Sequence, residues 1–337
     1  MNIKNFAFTL VLLGSVVPAA NAAPVVLGYY TANADADTSV KNFGGSFNQV
    51  STDTFKVAAN GSISGDVPVQ ALAAAKSRKM KTYVCLANFG AVGFDSAIAH
   101  SVITDAAATS RLIADTLALI RANGYTGVNL DIEGVPSADR AAFTAFVHQV
   151  SSSMRQAGFK TVISVPTQTK DDPTNSWSGA FDLRSIGRDV DIVQYMAYDQ
   201  HGPWSGRGAV ASIDWVTDTT KYALSIMPAS KINLGLAAYG YDWNLTKKTC
   251  IDVSWKDIPA LIETTKATPL RDPASGSPHF EYVKDGDNHV IWYEDATSIR
   301  QKAKLAASRK LNGVSVWALG KEDPSFWQAV KSGLSGK

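Results

Sequence analysis

The feature that most constrains the fold is a repeated alternation of short apolar runs with longer amphipathic segments. Seven runs have strand length, at Val25–Thr31, Lys81–Asn88, Gly127–Glu133, Thr161–Pro166, Ile192–Tyr198, Ile232–Tyr239 and Gly313–Ala318. Helical spacing marks the segments between them, including Val69–Arg78, Thr109–Asn123, Ala138–Ala157, Ile213–Ser225 and Ser298–Lys310. Strands that alternate with helices in this way predict a parallel sheet covered by helices.

Seven such units, with an eighth strand expected around Phe47–Val57, predict a (β/α)8 TIM barrel that spans 23–337. A doubly wound open sheet is the competing α/β architecture. No G-x-G-x-x-G follows the first strand, however, and this absence favours the barrel.

A long interval before the last strand breaks the alternation. Within it, Phe280–Val283 and Val290–Tyr293 flank the turn sequence Asp285-Gly286-Asp287-Asn288, which predicts a hairpin with a short turn. We therefore expect a small α+β insertion at about 244–297.

The N-terminus has the three parts of a secretory signal peptide. Lys4 supplies the positive charge, Phe6–Val17 is apolar, and Ala20-Asn21-Ala22 matches a small-x-small cleavage site. The apolar part is too short to cross the roughly 30 Å of bilayer hydrocarbon, which argues against the alternative of a retained anchor. We expect residues 1–22 to be removed and the protein to be periplasmic or extracellular, with no membrane attachment.

Composition excludes several function classes. The 32 Lys and Arg nearly balance the 30 Asp and Glu, so neither a nucleic-acid partner nor a polybasic membrane anchor is expected. Export would permit a Cys85–Cys250 disulfide, but the strand-like surroundings of Cys85 favour a buried free thiol. The five histidines are far apart in the sequence, and we expect a monomer without a metal or other cofactor.

The candidate catalytic residues lie on one predicted strand, Gly127–Glu133. Because strand side chains alternate, Asn129, Asp131 and Glu133 share one face and the apolar residues between them share the other. The apolar face should pack on helices, so the polar face should point into the barrel towards its C-terminal mouth. Two buried, neighbouring carboxyls have pKa values that move apart, which keeps one protonated near neutral pH, as a general acid requires. A salt-bridged strand end is the alternative, but it would place charge only at the tip.

These residues resemble the D-G-x-D-x-D-x-E signature of glycoside hydrolase family 18, the family of chitinases and endo-N-acetylglucosaminidases. Three other segments are similar to family motifs: Gly28-Tyr29-Tyr30, Met196-Ala197-Tyr198-Asp199 and Val316-Trp317. Three segments most resemble the bacterial branch of spore-cortex and peptidoglycan N-acetylglucosaminidases: Tyr198–Trp204, Ala238–Trp243 and Trp317–Gly320. The chain departs from the family pattern at Thr126 and Asn129, where aspartates are frequent, and at Cys85–Gly90, where S-x-G-G is usual.

The resemblance implies a retaining glycoside hydrolase that cleaves β-1,4-linked N-acetylglucosamine polymers with assistance from the substrate's own acetamido group. In that mechanism Glu133 would protonate the leaving oxygen, Asp131 would hold the acetamido N–H, and the Tyr198 hydroxyl would donate to the acetamido oxygen. The resemblance assigns further contacts to the substrate to Tyr29, Asn129, Met196, Asp199, Tyr239 and Trp317.

Two other function classes remain open on the sequence alone. Family members without the glutamate act as lectins, so one alternative is a catalytically weak or inactive chitin-binding protein, although Glu133 is intact. The other is a barrel glycosidase with an enzyme nucleophile, for which Asp199 would be the nearest candidate. The polysaccharide partner would be chitin oligomers or the glycan strands of peptidoglycan, and the sequence does not separate the two.

Overall fold

The computed structural model describes residues 23–336, so the predicted signal peptide at 1–22 lies outside the described residues. The strands are β1 (Val25–Thr31), β2 (Gln49–Val57), β3 (Ile63–Gly65), β4 (Lys81–Ala87), β5 (Gly127–Asp131), β6 (Lys160–Pro166), β7 (Ile192–Met196), β8 (Ile232–Ala237), β9 (Tyr239–Asn244), β10 (Thr249–Ser254), β11 (Leu270–Arg271), β12 (Pro278–Lys284), β13 (Asp287–Tyr293) and β14 (Gly313–Trp317). The helices are α1 (Ala34–Phe43), α2 (Val69–Ser77), α3 (Ser96–Thr104), α4 (Ala106–Asn123), α5 (Arg140–Gln156), α6 (Leu183–Asp189), α7 (Ile213–Ile226), α8 (Ile258–Thr265), α9 (Ala296–Ser308) and α10 (Pro324–Leu334).

Eight parallel strands close into a barrel. Their order is β1-β2-β4-β5-β6-β7-β8-β14, and β14 pairs with β1 to complete the ring. The closing register places Val25 opposite Gly313, and the next interface places Leu27 opposite Gln49. The predicted (β/α)8 barrel is confirmed, including its eighth strand, which begins at Gln49.

The helices around the barrel begin and end where local chemistry requires it. The Asp105 carboxylate caps the start of α4, and Gly124 ends it in the left-handed conformation at φ 61°. On α5 the apolar residues at helical spacing are all buried, as expected for core: Phe143, Phe146, Val147, Val150 and Met154.

A second, antiparallel sheet follows β8, in the order β10-β9-β13-β12-β11. The predicted hairpin is confirmed: β12 and β13 are joined by Asp285 and Gly286, both at positive φ, as a two-residue type I′ turn requires. Helix α8 packs on one face of this sheet, where its Ile258 contacts a cluster that includes Phe280 and Ile291. The sheet starts at Tyr239, earlier than the expected insertion boundary at about 244.

Three expectations about strand ends are corrected by the structure. The run Ile232–Tyr239 is two strands, because the chain changes sheets at Ala238. Strand β5 ends at Asp131, so Glu133 lies two residues beyond it, and β7 ends at Met196, before Tyr198. Beyond Asp131, the Glu133 N–H and carbonyl bond to the Asn88 side chain instead of a neighbouring strand, so β5 ends there.

Both cysteines are free thiols, Cys85 buried and Cys250 half-buried, as the strand context of Cys85 predicts. Between residues 23 and 336, no helix has the length and apolar character needed to cross a membrane.

Candidate active site

The polar ladder of β5 points into the barrel. Val128 and Leu130 are fully buried on the outer face, and Asn129 and Asp131 are buried on the inner one. Glu133 continues the inner face although it lies past the strand, because the Asn88 side chain holds its backbone. The Asn88 Nδ2 donates to the Glu133 carbonyl at 2.8 Å, and the Glu133 N–H donates to Asn88 Oδ1 at 2.9 Å. Glu133 is only 8% exposed, and its carboxyl thus lies at the C-terminal mouth of the barrel.

A chain of hydrogen bonds supports Asp131 from below. Asn129 Nδ2 donates to the Tyr29 hydroxyl at 2.8 Å and to Ser51 Oγ at 3.0 Å. The hydroxyls of Tyr29 and Ser164 are 2.9 Å apart, and Ser164 hydrogen-bonds the Asp131 carboxyl. Because Tyr29 accepts from Asn129 and Ser164 donates onward, the Tyr29 hydroxyl donates to Ser164. Asn129 therefore supports Asp131 through two hydroxyl groups.

Burial and like charges hold protons on the two carboxyls of the ladder. Burial first, and then the nearby charge of Asp53, raise the pKa of Asp131 to about 7, while the hydrogen bond from Ser164 lowers it. Burial raises the pKa of Glu133 well above its ordinary value, and the charges of Asp131, Asp199 and Asp53 raise it further. Glu133 accordingly keeps its proton to higher pH than an ordinary glutamate, as a proton donor must.

Tyr198 and Asp199 follow β7 at the mouth. Burial raises the pKa of the Tyr198 hydroxyl well above its usual range, with further contributions from Tyr29 and the nearby carboxyls, so Tyr198 stays a hydrogen-bond donor. Asp199 adopts the left-handed conformation at φ 62°, which is uncommon outside glycine. Its Oδ1 accepts from the hydroxyls of Tyr239 at 2.5 Å and Tyr241 at 2.9 Å, and these bonds hold the carboxylate in one orientation.

Trp317, at the end of β14, forms one side of the same site. Its ring packs against Tyr29 with centroids 5.5 Å apart, and it joins an apolar cluster with Met196, Tyr198 and Tyr239. An open cleft of about 550 Å³ runs from this point towards the second sheet. Its lining residues are Asp199, Pro203, Tyr239, Tyr241, Cys250, Ile251, Asp252, Trp317 and Lys321. The fold therefore brings all nine sequence-predicted site residues to one end of the barrel.

Several residues of this site were missed by sequence reasoning. Ser51 lies on β2 and Ser164 lies on the inner face of β6, so a period-two pattern could have identified these two residues. Asn88 and Tyr241 had no comparable signal, because each acts through a contact between elements distant in the sequence.

The described residues contain no group of three or more His, Cys, Asp or Glu side chains arranged to hold a metal ion.

Comparison with known proteins assigns the chain to a family. The sequence model of Glycosyl hydrolases family 18 matches residues 25–322. The chain is 35% identical over 333 residues to Uncharacterized glycosylase YvbX of Bacillus subtilis (strain 168), a match that covers 98% of this chain and 97% of that protein. It is 27% identical over 280 residues to the cortical fragment-lytic enzyme of the same organism, covering 81% of this chain and 65% of that enzyme.

Solved structures agree with the sequence comparison. A chitinase from Chromobacterium violaceum ATCC 12472 is 35% identical and has a TM-score of 0.88, over 94% of this chain and 100% of that one. The Bacillus cereus spore cortex-lytic enzyme SleL, at 21% identity, shares the fold with a TM-score of 0.84, over 92% of this chain and 74% of that one. Because the family match spans almost all of the described barrel and carries the polar ladder of β5 with it, the chain belongs to glycosyl hydrolase family 18 and is a glycoside hydrolase.

Proposed function

We propose that the protein is a secreted, retaining hydrolase of β-1,4-linked N-acetylglucosamine polymers that uses the acetamido group of its substrate as the nucleophile. The observation that carries this proposal is the pair of buried carboxyls at the end of β5. Burial and neighbouring carboxyls raise the pKa of Glu133 well above its ordinary value, and Asp131, two residues earlier on the same face, is hydrogen-bonded from below.

The proton donor acts first. Glu133 gives its proton to the glycosidic oxygen as the bond from that oxygen to C1 breaks, and the acetamido carbonyl oxygen attacks C1 from the opposite face. The product of this step is an oxazolinium ion and a free leaving-group hydroxyl. The Glu133 carboxylate then takes a proton from water as the water oxygen bonds to C1 and the bond from C1 to the acetamido oxygen breaks. This regenerates the acetamido group and restores the original configuration.

Asp131 and Tyr198 position the acetamido group for that attack. The Asp131 carboxylate accepts from the acetamido N–H and balances the positive charge that develops on the ring. The Tyr198 hydroxyl donates to the acetamido oxygen, and the Trp317 indole gives the pyranose an apolar surface beside Tyr29.

The hydrogen bonds of Asp199 favour substrate assistance over an enzyme nucleophile. Asp199 Oδ1 accepts from the hydroxyls of Tyr239 and Tyr241 on β9. Those two bonds withdraw electron density from the carboxylate, which lowers its nucleophilicity, and they hold it on the side of the second sheet. We assign Asp199 to the substrate-contacting wall of the cleft.

The names of the similar proteins support a polymer that carries N-acetylglucosamine. One structural relative is described as a chitinase and one sequence relative as a cortical fragment-lytic enzyme. We propose chitin oligomers and peptidoglycan glycan strands as the candidate substrates. The signal-like residues 1–22 support export to the periplasm or the exterior, where both polymers are accessible.

The test uses a chromogenic chitobioside, chitin oligosaccharides and purified sacculi, with the anomer of the first product followed by NMR. We expect release of the β-anomer before mutarotation. Glu133→Gln should lower kcat by about 10²- to 10⁴-fold with an unchanged circular dichroism spectrum, because it removes proton transfer but keeps the shape.

Glu281→Gln, at an exposed position of the second sheet, is the matched control and should retain full activity. An α-anomeric first product would overturn the retaining mechanism. Near-normal turnover by Glu133→Gln would overturn the assignment of the proton donor.

A further inference from the structure

Asp53 is a third carboxyl in the barrel interior, and no role has been assigned to it above. On β2, Ser51 lies opposite Tyr29 of β1, and this register continues without a shift to the pair of Thr31 and Asp53. Because Ser51 and Tyr29 both contact Asn129 inside the barrel, the strand alternation places Asp53 on the interior side as well.

A β-bulge places Asp53 at the height of the polar ladder of β5 in the barrel. Pairing of β2 with β4 shifts between Thr52 and Phe55, so that Asp53 and its neighbour stand together opposite Cys85. Cys85 is in turn paired with Asn129 on β5. Asp53, Cys85 and Asn129 therefore lie at one level across three adjacent strands, one inward-facing position below Asp131.

Cys85 lies between the other two side chains. The Cys85 thiol lowers the pKa of the Asp53 carboxyl, and Asn129 Nδ2 contacts Cys85 Sγ at 3.6 Å. Asp53 is half-buried as a residue, and its carboxyl is the more enclosed part. Asn129 carries no charge, so Asp53 supplies the carboxyl at this level of the barrel.

Among the described residues, the groups around this carboxyl are acids, and no cation pairs with it. The titratable groups that face Asp53, Asp131 and Glu133 are Tyr29 from β1, Cys85 from β4, and Tyr198 and Asp199 from the end of β7. Burial raises the pKa of Tyr29, Cys85 and Tyr198 so that all three stay uncharged. Within residues 23–336, no lysine, arginine or histidine forms an ion pair with these three carboxyls.

Two carboxyls in such surroundings do not both ionise in the same pH range. Burial raises the pKa of Asp53 to about 6, and burial with the Asp53 charge raises the pKa of Asp131 to about 7. The pair holds about one negative charge just below neutral pH, and its charge also raises the pKa of Glu133.

We propose that Asp53 is a positioning residue of the glycosidase reaction. With Asp131 it forms a carboxyl pair in the barrel interior, and the negative charge that the two share keeps Glu133 protonated until the leaving group takes that proton. Asp53 touches neither the sugar nor the breaking bond in this scheme. The inference rests on the assignment of Glu133 as proton donor under the proposed function.

The test compares pH profiles of kcat and kcat/KM for the wild type, Asp53→Asn and the double variant Asp53→Asn with Asn129→Asp. The pH profile should be bell-shaped, with an acidic limb set by Asp131 and an alkaline limb set by Glu133. Loss of the Asp53 charge should lower the pKa of both residues, so both limbs should move to lower pH by about one unit. The double variant returns a carboxyl to the same level and should move the profile back. Asp66→Asn, at an exposed position after β3, is the control for loss of a carboxyl and should leave the profile in place.

An unchanged profile in folded Asp53→Asn would overturn the proposal, and so would a double variant that keeps the shifted profile. A purely structural role for Asp53 would lower activity equally at every pH. If Asp53→Asn does not fold, Asp53→Ser serves in its place, because the smaller hydroxyl side chain fits without the charge.

A titration that needs no substrate separates this inference from the proposed function. In wild-type protein labelled with ¹³C at aspartate carboxyls, the pair should lose its protons in two steps between about pH 5 and pH 8. Titration of both carboxyls at ordinary values near pH 4 would overturn the pairing, whatever polymer the enzyme cleaves. Failure of the chitobioside assay with two-step titration intact would instead reject the proposed substrate alone.

Discussion

Replacement of Asp131 by asparagine should stabilise the folded protein at neutral pH while it removes turnover. In the unfolded chain this carboxyl loses its proton near its ordinary value of 3.8, whereas in the folded protein burial and Asp53 raise its pKa to about 7. A raised pKa means that the folded state binds the proton more tightly. The stability associated with that proton is fully present below pH 3.8 and is lost as the pH rises towards 7.

The size of the effect follows from the interval between the two values. About three pH units, at 1.36 kcal/mol each, correspond to roughly 4 kcal/mol in total. Asparagine has the same shape and retains an oxygen that accepts the hydrogen bond from Ser164, so the substitution mainly removes the charge. The advantage of Asp131→Asn over the wild type should grow by roughly 2 kcal/mol between pH 5 and pH 7.

Urea unfolding at pH 5, 6 and 7, followed by circular dichroism, measures this difference by linear extrapolation. Asp66→Asn, which alters an exposed carboxyl, should change the free energy of unfolding by less than about 0.5 kcal/mol at each pH. A stability difference between Asp131→Asn and wild type that stays constant from pH 5 to pH 7 would refute the reasoning.

Three further outcomes are expected. A thiazoline analogue of the oxazolinium ion should inhibit competitively and bind at least about 10²-fold more tightly than substrate; indifference to it in inhibition kinetics would count against substrate assistance. Tyr198→Phe should lower kcat by about 10-fold or more with a smaller change in KM, since its hydroxyl acts mainly in the transition state; steady-state kinetics on chitobioside decides this. The buried Glu294 carboxyl bonds Lys302 Nζ at 2.6 Å, and Lys302→Met would remove its only cationic partner among the described residues. The substitution should therefore lower the free energy of unfolding in urea titrations by about 3–5 kcal/mol, and a loss below about 1 kcal/mol would contradict this.

The barrel could be predicted from the sequence because its determinants are local. Apolar runs of strand length, helical spacing in segments such as α5, and the cap at Gly124 each follow from residues close together in the chain. The hairpin of the second sheet was equally local, since Asp285 and Gly286 alone select the turn. The exchange of sheets at Ala238 was not predictable in this way, because the continuous apolar run from Ile232 has no break at that position.

The candidate site was predictable where it follows one strand and unpredictable where it crosses strands. Period-two alternation identified Asn129, Asp131 and Glu133 without any knowledge of their neighbours. Asp53 escaped because the bulge in β2 depends on how that strand pairs with β4, which is a property of the closed barrel. Asn88 escaped for the same reason, since its bonds to Glu133 span 45 residues of sequence.

The tyrosines that bind Asp199 lie on β9, so one wall of the sugar cleft comes from the antiparallel sheet and only the floor comes from the barrel. Beside β9, β10 lies at the sheet's edge and is hydrogen-bonded on one side only within the described chain, with Ile251 and Asp252 exposed along the cleft. Substitutions along that edge would alter which polymer lies against this wall of the cleft, and they would not disturb β5, which positions the proton donor Glu133. Divergence in polymer preference among such hydrolases should accordingly concentrate in β10 and its turns, and leave β5 intact.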